Sequence, residues 1–373
     1  MMKAGPAERA AAAPGRLPSG LVERGSQVSF QPVLYATTPP FRGEAPADYV
    51  RQIASVARWS EEAGCIGTLV YTDNGLLDPW LCAQIVLQST KALVPLVAVQ
   101  PVYMHPYTAA KMIATLSLVH GRRIDLNMVA GGFKNDLVAL GDPTPHDRRY
   151  QRLIEFTTIV TRLAACEGPV SLDGEFHRVQ NLTLTPKIPP ELRPRVLASG
   201  SSGAGLAAAR ALGALPVQYP APASKLGEAG ERPDGSFGIR VGIVARDTED
   251  EAWEVAQQRF PVDRAGQLTH QLAMKVSDSS WHHTLSDLAK ERATATAKEV
   301  VSAERETYWM VPFTNYKTFC PYLVGTYDRV GAELARYFDL GCTTLILDVP
   351  TGTEEMRHVT RAIARGAELA GRA

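Results

Sequence analysis

From Val28 onward the chain repeats one unit: a short apolar run, a loop, then a longer stretch with helical spacing. Short apolar runs set between helix-patterned segments read as strands buried on both faces, the pattern of a parallel sheet covered by helices. The runs are Val28–Tyr35, Ile66–Tyr71, Leu93–Val99, Arg123–Val129, Val196–Ser199, Leu215–Tyr219, Phe237–Ala245 and Thr343–Val349. Each is followed by a helix or a long loop, and no internal repeat is present. That count predicts a (β/α)8 barrel with insertions, a size class that suits 373 residues. A doubly wound open sheet is the structural alternative. No run is followed by a GxGxxG turn, so nothing supports a dinucleotide-binding half.

Three stretches depart from the alternation. Residues 1–27 are rich in Ala, Pro, Gly and Arg and are expected to be a disordered leader. Residues 28–373 are expected to form a single barrel. Asp173-Gly174, set in polar-apolar alternation, predicts a hairpin excursion near 167–190. Residues 261–322 are polar and carry Trp281, Tyr308, Trp309, Phe313, Tyr316 and Phe319, a content that fits a closing lid and fits a subunit contact equally well. A formal net charge of zero gives no electrostatic case for nucleic acid or an anionic membrane. No apolar run reaches membrane-spanning length. The five cysteines show no metal-ligand spacing and read as reduced packing residues of a cytoplasmic protein.

In a barrel the functional residues stand at the C-terminal ends of the strands. That rule points to Gln31, Asp73, Asn74, Gln100, Asn127, Gly131, Ser201, Ser202, Gln218 and Tyr219. The run ending at Ser199 passes through Gly200-Ser201-Ser202-Gly203 directly into an Ala/Leu-rich helix. Free N–H groups, two hydroxyls and the helix dipole make that turn suited to a phosphate. A Ser-capped helix without a ligand explains the same spacing. Gln100, Asn127 and Gln218 interrupt or end apolar strands, and three converging amides suit a planar heterocycle. His146 and Tyr150 share one face of a helix, where they either bind a phosphate or ring carbonyl or simply pack. Arg240 lies inside Phe-Gly-Ile-Arg-Val-Gly-Ile-Val, where a guanidinium needs an anionic ligand or a structural carboxylate.

The ordered set Leu69–Trp80, Leu96–Pro101, Gly121–Gly132, His146–Tyr150, Gly200–Ser202, Phe237–Trp253 and Leu323–Gly341 resembles the bacterial-luciferase-like flavin monooxygenases, and among them the alkanesulfonate monooxygenases. The resemblance implies a (β/α)8 barrel with reduced FMN across its mouth. It implies that Gly200, Ser201, Ser202 and Tyr150 meet the phosphate, while Asp73, Gln100, Asn127 and His146 line the ribityl chain and ring. It assigns Arg240 a part in catalysis, with Tyr316 and Lys317 at the place of a lid cation. Three positions depart from the sulfonate enzymes: Leu76 replaces a cysteine, Gly242 replaces a histidine, and the lid arginine is missing near Tyr316, with Lys317 beside that place. Gln31, Leu76, Tyr219 and Gly242 are therefore expected to shape an altered substrate pocket, with open space beside Gly242.

These readings converge on a two-component monooxygenase that uses O2 and reduced FMN from a separate flavin reductase, acts on a small organic substrate other than a simple alkanesulfonate, and assembles as a homodimer or homotetramer. Arg240 and Lys317 are expected to make the pocket cationic. No metal is expected. A deazaflavin (F420) hydride-transfer enzyme of the same architecture, and a barrel that binds flavin without catalysis, are the alternatives.

Overall fold

The computed structural model describes residues 21–24, 27–226, 235–276 and 305–371. Strands β1 (Leu21–Arg24) and β2 (Gln27–Phe30) form a small antiparallel pair ahead of the barrel. Within the segment expected to be a leader, Leu21–Arg24 pairs with Gln27–Phe30.

The barrel strands are β3 (Val33–Thr37), β4 (Gly67–Val70), β5 (Val94–Val99) and β6 (Asp125–Val129) in the first half. A hairpin, β7 (Val170–Asp173) and β8 (Arg178–Leu182), intervenes. Its turn is pinned by the Glu155 carboxylate, which accepts the N–H groups of Glu175, Phe176 and His177. Strands β9 (Val196–Ser199), β10 (Leu215–Gln218) and β11 (Phe237–Arg246) follow. After a two-residue strand, β12 (Tyr308–Trp309), come β13 (Tyr322–Thr326) and β14 (Cys342–Leu347).

The order β3-β4-β5-β6-β9-β10-β11-β14 returns to β3 with every neighbour parallel, a closed barrel of eight strands. The eight ring strands match the eight apolar runs read from sequence. Strand β13 is an addition to that reading: it pairs with the second half of β11, from Gly242↔Tyr322 to Arg246↔Thr326. Only a short apolar run marks it, and it passes at once into the following helix.

The helical layer is α1 (Pro46–Glu62), α2 (Pro79–Ser89), α3 (Pro106–His120), α4 (Lys134–Ala139), α5 (His146–Ala165), α6 (Gly203–Leu212), α7 (Glu249–Arg259), α8 (Arg264–Val276), α9 (Val311–Thr314), α10 (Tyr327–Asp339) and α11 (Thr353–Leu369). Local sequence explains the boundaries. Helices α1 to α3 begin with proline, whose missing N–H is needless in a first turn. Asp78 caps α2 by accepting from Trp80 and Leu81, and Gly121 ends α3 in the left-handed conformation. Among the described residues, strand β10 leads into a short 3-10 turn at Ala223–Lys225. Helices α8 and α9 frame the expected lid, whose Trp281 lies outside the described residues. No helix among the described residues is long and apolar enough to cross a membrane, and the five cysteines are free thiols.

The barrel interior is filled by Tyr35, Leu69, Leu96, Ala98, Leu197, Val217 and Ile346. Near its N-terminal end Tyr35 donates to Asp125 at 2.9 Å. The same carboxylate accepts from Arg123 Nε at 2.6 Å and from the Arg195 N–H at 3.0 Å. Burial, reinforced by the Asp125 charge, pushes the Tyr35 phenol well above its ordinary pKa. Asp125→Ala strands the partly buried Arg123 and the Tyr35 hydroxyl, and is expected to lower stability by about 3–5 kcal/mol in urea unfolding. A loss below about 1 kcal/mol would show that this plug does not hold the barrel.

Candidate active site

The strands' C-terminal ends open into a cleft lined from β4, β5, β6, β9, β10, β11 and β14 and the loops that follow them. The turn between β9 and α6 forms part of its wall. Gly200 must be glycine: its φ is +156°, and a Cβ there would lie 2.6 Å from the Tyr150 hydroxyl. Ser202 Oγ accepts the Gly205 N–H at 3.1 Å and caps α6, so its hydroxyl serves the helix. Ser201, Gly200, Tyr150 and His146 line the cleft around the free helix terminus. The His146 and Tyr150 rings meet edge-on at 5.3 Å, as their spacing on α5 requires. Burial raises the Tyr150 phenol, and Ser202 and then Arg149 pull it partly back.

The cleft wall carries the three amides. Gln100, Asn127 and Gln218 are all buried and all line it. Asn127 Oδ1 accepts from Ser199 Oγ at 2.8 Å, which turns its amide nitrogen to the other side. Gln100 donates to Tyr103 at 3.4 Å, Tyr103 donates to Asn74 at 2.7 Å, and Asn74 donates to the Asp136 carbonyl at 3.0 Å. This chain ties the β5 end to α4. Arg149 donates to the Gly131 carbonyl at 2.8 Å and fixes the turn after β6. Asp73 lines the cleft and accepts the Gly75 N–H at 2.7 Å.

Arg240 lines the same cleft from β11 and is 4% exposed. Nη1 donates to the Tyr219 hydroxyl at 2.7 Å, and the guanidinium lies 4.5 Å from the Tyr71 ring centre and 5.5 Å from that of Tyr219. Asp348 Oδ1 is 3.8 Å from Nη2. Phe319 closes this side and meets Tyr71 edge-on at 6.4 Å.

The structure therefore brings Asp73, Gln100, Asn127, His146, Tyr150, Gly200, Ser201, Tyr219 and Arg240 into one cleft. Seven expected residues stand elsewhere, two of them Ser202, which caps α6, and Asn74, which lies in the chain from Tyr103 to Asp136. Gln31 precedes β3 and is exposed at the wrong end of that strand, because the strand begins at Val33. Leu76 sits beyond the cleft-lining part of its loop, with its N–H on the Asp73 carbonyl. Gly242 has no open space: a Cβ there would fall 2.2 Å from the Tyr322 ring, which fills the gap. Lys317 is outside the cleft wall, its ammonium 2.6 Å from Asp263. Tyr316 is half-buried behind Phe319, with the two rings 5.7 Å apart. The cleft is accordingly not cationic, since Lys317 pairs elsewhere and Arg240 has Asp348 beside it. Sequence reasoning missed Ser199, Tyr71, Tyr322 and Asp348. For Asp348 the available signal was a carboxylate directly after the apolar Thr343–Leu347 run.

A closed parallel barrel with one cleft of amides, hydroxyls and a buried guanidinium at its strand ends defines a ligand-binding (β/α)8 protein. Residues 31–344 match the luciferase-like monooxygenase model, and the chain belongs to that family. It is 33% identical over 320 residues to the 4-(gamma-L-glutamylamino)butanoyl-[BtrI acyl-carrier protein] monooxygenase BtrO of Niallia circulans, covering 84% of this chain and 91% of that one. Among solved structures it resembles the oxygenating constituent of 3,6-diketocamphane monooxygenase of Pseudomonas putida in complex with FMN (TM-score 0.62, 14% identity, 90% of this chain and 97% of that one). It also resembles an F420-dependent secondary alcohol dehydrogenase (TM-score 0.60, 17% identity, 90% and 99%). At such identities these two likenesses establish the fold.

The filled space beside Gly242 has a direct consequence. Gly242→Ala is expected to cost about 1–3 kcal/mol through overpacking against Tyr322. Thermal melting checks it, and pairing the change with Tyr322→Leu should recover part of the loss. An unchanged melting temperature for the single variant would mean that the space is open after all.

Proposed function

We propose that the protein is a flavin-dependent monooxygenase that works with reduced FMN delivered by a separate reductase and transfers one atom of O2 to a small organic substrate. The observation that carries this reading is the Gly200-Ser201 turn at the α6 terminus, which lines the cleft together with Tyr150 and His146. Backbone N–H groups and two hydroxyls there suit a phosphate dianion without any ammonium or guanidinium. The residues fit the cofactor along its length: Asp73 suits ribityl hydroxyls, while Gln100, Asn127 and Gln218 offer donors and acceptors to a heterocycle. Bound reduced FMN supplies the electrons and the site of oxygen activation. The chain's own residues hold the cofactor, and the Phe319 side of the cleft excludes water from it. Arg240 then presents a fixed positive edge to oxygen atoms that gain electron density during transfer.

The relative from Niallia circulans is named for an acyl group on a carrier protein. Acyl substrates, free or carrier-bound, are therefore the first class to test here. The F420 neighbour makes hydride transfer with a deazaflavin the second reading. Oxygen consumption by the protein with reduced FMN, above the rate of free reduced FMN and accompanied by substrate oxygenation, separates the two. Ser201→Ala is expected to weaken FMN binding by about 1–3 kcal/mol, the scale of hydrogen bonds to a charged group. Riboflavin, which lacks the phosphate, should bind the variant and the parent alike in the same fluorescence titration. An equal loss for riboflavin would remove Ser201 from the phosphate site.

A further inference from the structure

Arg240 enters the cleft wall with its charge already countered. Asp348 lies 3.8 Å from Nη2, yet no hydrogen bond joins them. The carboxylate is held back by Tyr322, whose hydroxyl donates to Asp348 Oδ2 at 2.7 Å. Tyr322 is itself fixed, since its ring occupies the space left by Gly242 and stacks edge-on with Phe260 at 4.8 Å. The result is a guanidinium whose Nε and Nη2 are buried without hydrogen-bond partners among the described residues, although Nη1 is satisfied by Tyr219. Two unmet donors on a buried cation are costly unless an acceptor arrives.

The charge balance decides what that acceptor can be. Arg240 is 4% and Asp348 11% exposed, so their fields are poorly screened and sum to zero. Among the described residues that line the cleft, Asp73 and Arg240 are the only Asp, Glu, Lys or Arg side chains. An anion entering beside Arg240 would meet the nearby Asp348 charge with no second cation on the described cleft wall to offset it. A neutral carbonyl oxygen adds no charge, and it accepts from Nε or Nη2 once the guanidinium, whose two atoms are sealed from solvent in this conformation, turns toward it. The aromatic walls, Tyr71, Tyr219 and Phe319, suit a flat group.

We propose that the Arg240 side of the cleft is a subsite for a neutral carbonyl group of the substrate, as in an amide, ester or ketone, and that Asp348, held by Tyr322, is the residue that rejects anionic substrates. The proposal rests on the reading of the cleft as a substrate cavity. Asp348 and Tyr322 act through Arg240 and are positioning residues.

Benzamide and benzoate, alike in shape and different in charge, test it by calorimetric titration of the protein with and without FMN. The parent protein is expected to bind benzamide at least about tenfold more tightly than benzoate. Asp348→Asn removes the countercharge and should reverse that preference. Tyr322→Phe keeps the ring and releases Asp348 to close on Arg240, so both probes should weaken while FMN affinity stays unchanged. This variant keeps the test alive if Asp348→Asn fails to fold. Preference for benzoate in the parent, binding of neither probe, or an unchanged preference in Asp348→Asn would each overturn the proposal. Loss of FMN binding by the parent would instead overturn the flavin reading, since the probe preference is measured without FMN as well.

Discussion

Strand β11 carries the barrel's closure and its cation together. All ten of its residues are buried. Its first half, Phe237–Val241, lies between β10 and β14 and closes the ring. A parallel sheet with a broken seam would expose two unpaired edges, so this strand has to be small, apolar and in register. Gly238 meets that demand where Val217 and Thr344 crowd it, with a hypothetical Cβ only 3.3 to 3.4 Å from their atoms. The second half pairs with β13 and sets Tyr322 opposite Gly242. One strand thereby brings Arg240 to the cleft and aligns the tyrosine that restrains Asp348.

The sequence made the ring legible because its strands are local objects. Each is an apolar run bounded by turn residues, and the turn at Gly200 through Ser202 stands out as small residues next to a helix start. The amides were legible for a similar reason, since a polar residue in an apolar run is conspicuous. What stayed hidden depends on partners distant in the chain. Lys317 looks available until Asp263 is found beside it. Gly242 looks like open space until Tyr322, arriving from β13, fills it. Gln31 failed differently: the strand was placed a few residues early, and a shift of that size moves a residue from one end of a barrel strand to the other.

Ser202 shows how one motif divides its labour. The Gly-Ser-Ser-Gly turn reads as two equivalent phosphate ligands, but the cap of α6 takes the second hydroxyl. A helix cannot leave all its first-turn N–H groups unmet, and the residue directly before the helix is the one positioned to serve it. Ser201, one step earlier, is left to face the cleft.

The α6 terminus and the Arg240 side chain differ in how they receive negative charge. The α6 terminus sets the positive end of a helix dipole beside Ser201 and Tyr150. Arg240 offers a cation already matched by Asp348. A ligand with one strongly anionic group is therefore received better at Ser201 than beside Arg240, where that group would meet the Asp348 charge and leave the helix terminus unmet.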